Sequence, residues 1–445
     1  MTRQLHLNAF LMGTGHHEAA WRHPNARPEE ALSFEHYLNF AQIAERGTLD
    51  SIFFADNLAV GRNLRYNAQN NLEPLTLLSA ISTRTERIGL IATASTTYNE
   101  PFHLARTFAS LDHLSRGRAG WNIVTSAGAD EALNFSRATR PDHGDRYARA
   151  SEFLDVVLKL WDSWEDDAHV LDKSTGQFVD TDKVHEINHQ GSHFQIQGPL
   201  NIARPPQGRP LLVQAGSSEA GKEYAASYAE AVFTAQQTLA DGQAFYADLK
   251  GRLSRYGRTP DQVVILPGIC AVIGGTEAEA RAKEAELNDL ISPEYGQEQL
   301  SRMLEHDITG YPLDGPLPKL PGEEAINGHK SRFTLVTDLA RRENLSIRQL
   351  IQRLAGGRGH RVFAGTPEQV ADQIELWFTS GAADGFNIMP PALPGGLEDF
   401  VEQVVPELRR RGLFRTEYTG HTLRDHYGLE RPTNQFRDHV KEFAS

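Results

Sequence analysis

Short apolar runs alternate along this chain with longer stretches in which apolar positions recur at helical spacing. Eight of the runs have the length and apolar character of buried strands; they span residues 5–12, 51–55, 88–95, 119–124, 211–216, 229–235, 263–273 and 384–389. Helical patterns lie between them, for example over 34–47, 101–117 and 151–167. Alternating strands and helices predict a parallel sheet, and eight such units favour an α/β fold, a (β/α)8 TIM barrel, over an open doubly wound sheet.

Two long stretches interrupt this alternation. Residues 166–210 are polar, predict a hairpin and end in a proline-rich return, whereas residues 292–345 contain a Pro- and Gly-rich segment between helices. Loops of such length in a compact domain are usually functional lids or disordered. We expect one barrel domain over residues 1–445 with two insertions. The second insertion follows the seventh predicted strand, so it either covers a site on the catalytic face or is a solvated excursion.

Composition narrows the class of protein. The chain has 445 residues, of which 40% are hydrophobic and 23% are charged, as in a soluble globular protein with a large core. Its formal net charge of −13 disfavours nucleic acid or an anionic membrane surface as a partner. The single cysteine, Cys270, excludes a disulfide framework and favours a reducing cytoplasm. The start of the chain lacks a signal-peptide pattern, and no apolar run is long enough to span a membrane.

Two segments indicate an anion-binding site. His143 and Tyr147 are four positions apart at the start of a predicted helix, which places both side chains on one face. Residues 214–218 combine the end of a strand, a glycine turn and the hydroxyls of Ser217 and Ser218 before another helix. Unpaired N–H groups and the helix dipole favour an anion at such a position. The sequence therefore suggests a cofactor that carries a phosphate.

Two other motifs are incomplete. His17 and Glu18 begin an H-E-x-x-H pattern, but Trp21 stands where the second histidine ligand of a zinc protease would be, so we predict no metal site. Gly13 and Gly15 lack the third glycine of a dinucleotide-binding fingerprint, and no Walker A motif occurs. The chain therefore shows no nicotinamide site of its own.

Longer motifs carry a family resemblance. They are ATASTTYNEPFHLARTFASLDHLSRGRAGWNIVTSA, HGDRYARASEFLDVVLKLWDSW, RPPQGRPLLVQAGSS, VFTAQQTLADG, AADGFNIMPPALPG and RRGLFRTEYTGHTLRDHYGL, together with SIFFADN and GHHEAAWRHP nearer the start. With these motifs the chain resembles the nitrilotriacetate monooxygenase group of the bacterial luciferase-like flavin-dependent monooxygenases. The resemblance covers almost the whole chain.

The resemblance implies a two-component monooxygenase that uses O2 and reduced FMN, with NADH acting indirectly through a separate NAD(P)H:FMN reductase. It implies hydroxylation of a small, carboxylated substrate next to nitrogen or sulfur, with C–N or C–S cleavage, as in the degradation of xenobiotic aminopolycarboxylates or of succinylated thiols. Sulfone or long-chain alkane oxidation is the alternative within the group. The alternative classes are flavin- or deazaflavin-dependent hydride transfer and flavin binding without catalysis. A cytoplasmic homodimer or homotetramer is also implied.

Carried over residue by residue, the group's FMN contacts fall on Asp56, Thr93, His143, Tyr147, and Ser218 with its neighbour Ser217. Each lies at or just beyond the carboxyl end of a predicted strand, where barrel enzymes place ligands. Ser217, Ser218 and Tyr147 suit the phosphate, whereas Asp56 suits ribityl hydroxyls or a flavin N–H. Asn122 is a further candidate for the polar edge of the flavin ring. Taken singly, each of these residues could instead cap a helix or satisfy a turn.

The loop after the first predicted strand supplies candidates for the substrate side of the flavin: His16, His17, Trp21 and Arg22. Either histidine could instead be a buried structural residue. Arg22, Arg62 and His103 are the cationic candidates for a carboxylated substrate. No side chain is assigned a catalytic role, because the flavin and O2 would carry the chemistry.

Overall fold

The computed structural model describes residues 3–60, 64–66, 71–126, 128–136, 143–322, 324, 326 and 330–437. These residues form thirteen strands: β1 (His6–Leu11), β2 (Ser51–Phe54), β3 (Gly89–Ser95), β4 (Ala119–Val124), β5 (His169–Asp172), β6 (Gln177–Val179), β7 (His189–Gln190), β8 (Gln195–Ile196), β9 (Leu211–Ala215), β10 (Ala231–Thr234), β11 (Val264–Ile273), β12 (Arg361–Gly365) and β13 (Gly385–Ile388).

Fifteen α-helices lie within the same residues: α1 (Phe34–Arg46), α2 (Pro74–Ser82), α3 (Pro101–Leu114), α4 (Ala129–Asn134), α5 (His143–Asp162), α6 (Glu219–Tyr228), α7 (Leu239–Arg252), α8 (Glu277–Asp289), α9 (Pro293–Leu304), α10 (Lys330–Glu343), α11 (Ile347–Ala355), α12 (Pro367–Thr379), α13 (Gly395–Asp399), α14 (Val405–Arg410) and α15 (Leu423–His426). A π-helical turn, Phe400–Val404, joins α13 to α14. Each described helix falls short of the length or apolar character needed to cross a bilayer.

Eight parallel strands close into a ring in the order β1, β2, β3, β4, β9, β10, β11 and β13, and β13 pairs again with β1. Asn8 on β1, for example, lies opposite Ser51 on β2 and Asn387 on β13. The predicted (β/α)8 barrel is confirmed, and each of the eight predicted strands corresponds to one strand of the ring. Their apolar character follows from burial on both faces, by helices outside and by side chains inside.

Side chains along each barrel strand alternate between two cores. Phe10, Phe53 and Phe233 belong to a cluster that fills the interior of the ring. Their neighbours Leu11 and Phe54 belong to the larger cluster that packs against the surrounding helices. This alternation leaves the carboxyl ends of the strands free to carry polar residues towards one face of the barrel.

The strand β12 was not predicted, and it lies outside the ring. β11 is long enough to serve two purposes: Val264–Pro267 pair with β10, whereas Ile269–Ile273 extend further and pair with Arg361–Gly365 of β12. The helices α8 to α11 lie between these two strands, and the predicted insertion at 292–345 falls among them. The other excursion, at 166–210, contains two short antiparallel pairs, β5 with β6 and β7 with β8.

The short helix α15 closes the amino end of the barrel. Leu423 and Tyr427 belong to the interior cluster, and the Tyr427 hydroxyl donates to Asn8 Oδ1 at 2.7 Å. The nearby polypeptide brings Arg415 within 2.7 Å of the fully buried Asp50 carboxylate. Since this end is filled, a ligand must enter from the carboxyl ends of the strands.

Gly89 illustrates how tightly α15 packs. A Cβ atom added to Gly89 would overlap Leu423 Cδ1 and would lie 2.8 Å from the carbonyl oxygen of Asp50. We expect Gly89→Ala to lower the free energy of unfolding by about 1–3 kcal/mol, because the backbone of β2 must shift. Urea unfolding measures the difference. Gly251→Ala, where a Cβ would meet nothing within 4 Å, is the matched control; equal stability of the two variants would contradict this packing.

Candidate functional site

Tyr147, Ser218 and Gly221 meet where α5 and α6 begin. Ser218 caps α6, and its Oγ accepts a hydrogen bond from the Gly221 N–H at 3.2 Å. A Cβ atom on Gly221 would lie 3.1 Å from Ser218 Oγ and 3.2 Å from the Tyr147 hydroxyl. Glycine at this position lets the two hydroxyls come this close to the first turn of α6. Hydroxyls beside a helix start suit the oxygen atoms of a phosphate.

Neighbouring contacts fix this corner. The ring of Tyr147 packs edge-on against Tyr224, with 5.8 Å between ring centroids. Arg146 donates from Nη1 to the carbonyl oxygen of Ser126 at 2.8 Å, which ties the first turns of α5 to the end of β4. Burial raises the pKa of Tyr147, so its hydroxyl keeps its proton and can donate it to an anion. Ser217 lies beside Ser218, and its hydroxyl is 3.2 Å from that of Thr234.

His143 is the first residue of α5, four positions before Tyr147. Its side chain lies outside the described residues, and so does the whole of Arg62. Their assignments to cofactor and substrate stay predictions.

Asn122 and Thr93 form a buried hydrogen-bonded chain at neighbouring strands. Asn122 Nδ2 donates to Thr93 Oγ1 at 2.9 Å, and Thr93 Oγ1 donates to the carbonyl oxygen of Phe54 at 2.9 Å. The other amide atom, Asn122 Oδ1, is buried without a hydrogen-bond partner in the described part of the chain. A buried acceptor of this kind is normally satisfied by a donor. A ligand N–H is one group that could supply it.

Asp56 and Thr93 line one open cavity of about 420 Å³ at the ends of β2 and β3. Burial raises the pKa of the Asp56 carboxyl, and the negative charges of Glu73 and Glu131 add to the shift. Asp56 Oδ1 accepts only the backbone N–H of Asn57, at 2.9 Å, among the hydrogen bonds of the described residues. Asp56 therefore keeps accepting capacity at the wall of this cavity, as ribityl hydroxyls would require.

The two adjacent histidines of the loop after β1 differ in their surroundings. His16 Nε2 donates to the Phe10 carbonyl oxygen at 2.9 Å, and its Nδ1 is buried without a partner among the described residues. His17 uses both ring nitrogens: Nδ1 accepts from the Ala19 N–H at 3.1 Å, and Nε2 lies 3.1 Å from Asn288 Oδ1 on α8. His17 thus joins this loop to α8, which gives it a packing role whether or not substrate reaches it.

His16 and His360 lie on an aromatic floor at the carboxyl end of the barrel interior. The His16 ring is 4.5 Å from that of Phe10, and the His360 ring stacks on Phe233 at 4.7 Å. Burial lowers the pKa of His16 to about 3, with a further contribution from the charge of Arg358. Burial also lowers the pKa of His360 well below its ordinary value. Both rings are therefore neutral at physiological pH.

These neutral histidines predict sensitivity to acid. Below about pH 6.5 only the unfolded chain protonates them, so the unfolding free energy falls as pH falls, by about 1.4 kcal/mol per histidine and pH unit. We expect about 3 kcal/mol less stability from this pair at pH 5.5 than at pH 7.5. Urea unfolding at the two pH values tests this expectation. His16→Gln should reduce the slope, and a stability equal at both pH values would contradict the assignment.

Trp21 and Arg22 line a second open cavity, of about 370 Å³. It lies between the loop after β1, residues 64–66 and the start of the second insertion; Arg65, Tyr66 and Tyr295 are also in its walls. Trp21 Nε1 donates to the Tyr66 carbonyl oxygen at 3.0 Å. His103 lines the cavity of Asp56 instead, so the structure separates the cationic candidates.

Comparison with known proteins decides the family. The family model of luciferase-like monooxygenases matches residues 14–384. The N-acetyl-S-(2-succino)cysteine monooxygenase of Bacillus subtilis (strain 168) is 52% identical over 435 residues, covering 98% of this chain and 98% of that protein. Nitrilotriacetate monooxygenase component A of Aminobacter aminovorans is 52% identical over 446 residues, covering 97% and 98%. The chain belongs to the luciferase-like monooxygenase family.

A solved structure agrees with this placement of the monooxygenase. A riboflavin lyase, solved with modified FMN and its substrate riboflavin, superposes with a TM-score of 0.86 at 31% identity and covers 96% of this chain and 97% of its own. The resemblance found in the sequence is confirmed, and the protein is a flavin-dependent monooxygenase. Reduced FMN with O2, the predicted cofactor pair, is that of its homologues.

The residues of the monooxygenase fit FMN at two places. The hydroxyls of Tyr147 and Ser218 at the start of α6 can hold the phosphate. Asn122 Oδ1, which has no hydrogen-bond partner among the described residues, can accept an N–H of the flavin ring. Thr93 Oγ1 already accepts a hydrogen bond from Asn122 and donates one to the Phe54 carbonyl oxygen, so Thr93 holds the Asn122 amide in place. The described residues contain no cluster of three or more His, Cys, Asp or Glu side chains suited to a metal ion.

Sequence reasoning did not identify several residues of this face. Gly221 is one, because a glycine in a first helical turn carries no sign of what it leaves room for. Glu18 was considered only as part of a metal motif, but its carboxylate binds the Tyr295 hydroxyl and lies 3.3 Å from Arg358 Nε. Arg65 was missed as well. These contacts join segments far apart in the chain, which no local pattern reveals.

Proposed function

We propose that this monooxygenase takes reduced FMN from a separate NAD(P)H:FMN reductase and uses O2 to hydroxylate a small, carboxylated substrate at a carbon next to nitrogen or sulfur. The observation that carries the proposal is the buried Asn122 Oδ1, which has no hydrogen-bond partner among the described residues, together with the hydroxyls of Tyr147 and Ser218 at the start of α6. The two relatives at 52% identity are named for nitrilotriacetate and for N-acetyl-S-(2-succino)cysteine, which both carry several carboxylates. This shared chemistry supports the substrate class.

The side chains have positioning roles in this proposal. Reduced FMN would supply two electrons, so that one atom of O2 enters the substrate and the other becomes water. Tyr147, Ser217 and Ser218 hold the phosphate, with His143 assigned beside them. Asn122 accepts a hydrogen bond from the ring, and Asp56 accepts from ribityl hydroxyls. The insertion between β11 and β12 covers the face and excludes water.

The hydroxylated substrate then decomposes by bond cleavage without further oxidation. The hydroxylated carbon carries the nitrogen or sulfur as a leaving group. As the C–N or C–S bond breaks, the hydroxyl becomes a carbonyl and its proton passes to the leaving amine or thiol. The products are an aldehyde or keto acid and the freed amine or thiol. No side chain has to act as an acid or base for this collapse in water.

Oxygen consumption with NADH, FMN and a generic flavin reductase tests the proposal. The panel contains nitrilotriacetate, N-acetyl-S-(2-succino)cysteine, an aryl sulfone and a long alkane, and the assay separates released peroxide from product. We expect a carboxylated substrate to suppress peroxide and yield an aldehyde or keto acid. Product from the sulfone or the alkane alone would shift the substrate class. Substrate oxidation without O2 uptake would favour the hydride-transfer class and refute the proposal.

The partner and the assembly belong to the same proposal. A separate reductase fits the absence of a nicotinamide motif in the sequence and the "component A" in a relative's name. We also propose a homodimer or homotetramer in the cytoplasm. Light scattering after size exclusion measures the oligomeric state directly, and a monomer at micromolar concentration would refute that part alone.

A further inference from the structure

Two arginines from separate loops line the 370 Å³ cavity that also contains Trp21. Arg22 follows β1 and Arg65 follows β2, and both are exposed. Arg22 donates from Nη1 to the carbonyl oxygen of Leu290 at the end of α8. Arg65 lies over the ring of Tyr66, with 5.5 Å from the guanidinium carbon to the ring centroid. Within the described part of the chain, neither guanidinium has a carboxylate oxygen within 4 Å.

The two arginines contrast with several others on this acidic protein. The formal charge is −13, and other arginines are paired several times over: Arg252 contacts Glu219, Glu223 and Asp248, and Arg411 contacts three carboxylates. Surface arginines without partners concentrate positive potential locally. The cavity therefore attracts anions although the protein as a whole repels them.

Glu18 is the carboxylate in the wall of this cavity, and it is already engaged. Its Oε2 accepts from the Tyr295 hydroxyl, and its Oε1 lies 3.3 Å from Arg358 Nε. The nearby Glu294 accepts a hydrogen bond from the Ser292 hydroxyl at 2.7 Å, and this bond is the main cause of the lowered pKa of Glu294. The charge of Arg65 contributes less to that lowering. Neither carboxylate neutralises Arg22 or Arg65 by contact.

A hydrogen bond joins the loop that carries Arg22 to the loop that carries Arg65. Trp21, next to Arg22, donates from its indole nitrogen to the carbonyl oxygen of Tyr66, next to Arg65, at 3.0 Å. The Tyr66 ring lies 6.4 Å from the ring of Tyr295 on α9. The arginines therefore present their charges from two anchored segments, as recognition of two groups on one ligand requires.

We propose that Arg22 and Arg65 each bind a different carboxylate of the same substrate, so that preferred substrates carry at least two carboxylates. The inference rests on the proposed function and narrows its substrate class. A guanidinium pairs with a carboxylate through charge-assisted, commonly bidentate hydrogen bonds. An alkane or a neutral sulfone fills the cavity without satisfying either charge.

Ligands matched in length test the pair directly. Calorimetry with the full chain compares succinate, glutarate and adipate with butyrate, pentanoate and hexanoate, which have the same carbon counts and one carboxylate. We expect at least one dicarboxylate to bind about 10- to 100-fold more tightly than its partner. In Arg22→Gln and in Arg65→Gln that advantage should disappear, and Arg22→Lys and Arg65→Lys should restore part of it.

The control is Arg281→Gln, an exposed arginine on α8 that pairs with Glu277 outside the cavity. It should leave dicarboxylate binding unchanged, and equal melting temperatures show that the variants fold. If no dicarboxylate exceeds its monocarboxylate partner, or if the glutamine variants retain the advantage, the inference is wrong.

Failure of the proposed function has a different signature. FMN binding and O2 uptake with the reductase are measured on the parent and on both glutamine variants. We expect all three to bind FMN alike, with the variants showing a KM for a dicarboxylated substrate raised at least tenfold and more released peroxide. If the parent protein binds FMN and consumes O2 but does not bind dicarboxylates preferentially, only this inference is wrong. If the parent protein shows neither FMN binding nor O2 uptake, the proposed function is wrong.

Discussion

Tyr147→Phe combined with Ser218→Ala is expected to weaken FMN binding by about 10²- to 10³-fold. Each substitution removes one of the two hydroxyls beside Gly221, and a hydrogen bond to a charged group contributes about 1.5–3 kcal/mol. The two losses share one phosphate, so their effects should not add fully. Fluorescence quenching of FMN measures the dissociation constant, and saturation with FMN should restore turnover.

Two controls separate cofactor binding from stability. Ser218 also caps α6, so Thr238→Ala, which removes the equivalent cap from α7, should lower stability by about 1 kcal/mol without changing FMN affinity. Tyr228→Phe removes a hydroxyl that is not one of the two beside Gly221 and that donates to Asp155 Oδ1 at 3.1 Å. If the double variant binds FMN as tightly as these controls, the phosphate lies elsewhere on the barrel.

Arg424→Met is expected to lower the free energy of unfolding by about 3–5 kcal/mol, because it leaves a buried carboxylate without its main partner. Arg424 Nη2 lies 2.8 Å from both oxygens of Glu230, whose side chain is 6% exposed. Arg209 contacts the same carboxylate at 3.1 Å, and the Leu212 N–H donates to it at 3.0 Å. Urea unfolding at pH 7 measures the loss.

The same pair has a defined pH dependence. Burial by itself would raise the pKa of Glu230, but the charges of Arg424 and Arg209 outweigh it and lower the pKa to about 2. The stabilisation is therefore complete above the unfolded pKa of about 4.3 and disappears as pH falls towards 2. Arg424→Met should flatten this part of the stability profile. Arg281→Met, at an exposed pair, should change stability by less than about 1 kcal/mol, and an equal loss in both variants would contradict the buried pair.

The barrel could be predicted because its strands are buried on both faces. Burial on two sides demands continuous apolar runs, and such runs stand out even in β2, with only Ser51–Phe54. β12 escaped detection because Arg361–Ala364 are only partly buried and pair with the overhang of β11 rather than with the ring. A strand at an edge lacks the pattern that marks the others.

In the candidate site, too, local features can be predicted from sequence and contacts between distant segments cannot. Tyr147 and Ser218 are candidates from sequence because a helix start with hydroxyls is a local feature, and the structure brings the two side chains together at Gly221; their contact with a cofactor stays a prediction. The role of His17 in holding Asn288 depends on a segment far along the chain. The same holds for Arg65, because its lack of an ion pair with any described residue is visible only once its surroundings are known. A local feature such as a helix start can be found in a short stretch of sequence, whereas the absence of an ion-pair partner depends on how distant segments fold together.

The overhang of β11 and its pairing with β12 make the second insertion interchangeable. The segment leaves the barrel after Ile273 and returns at Arg361, on two neighbouring strands about 5 Å apart. The hydrogen bonds that close the ring do not involve this segment, and the entropy of closing a loop rises only slowly with its length. A segment of different size or shape at this ribbon would leave the hydrogen bonds of the ring in place, and with them the residues proposed to hold the cofactor, which gives one scaffold a route to new ligands.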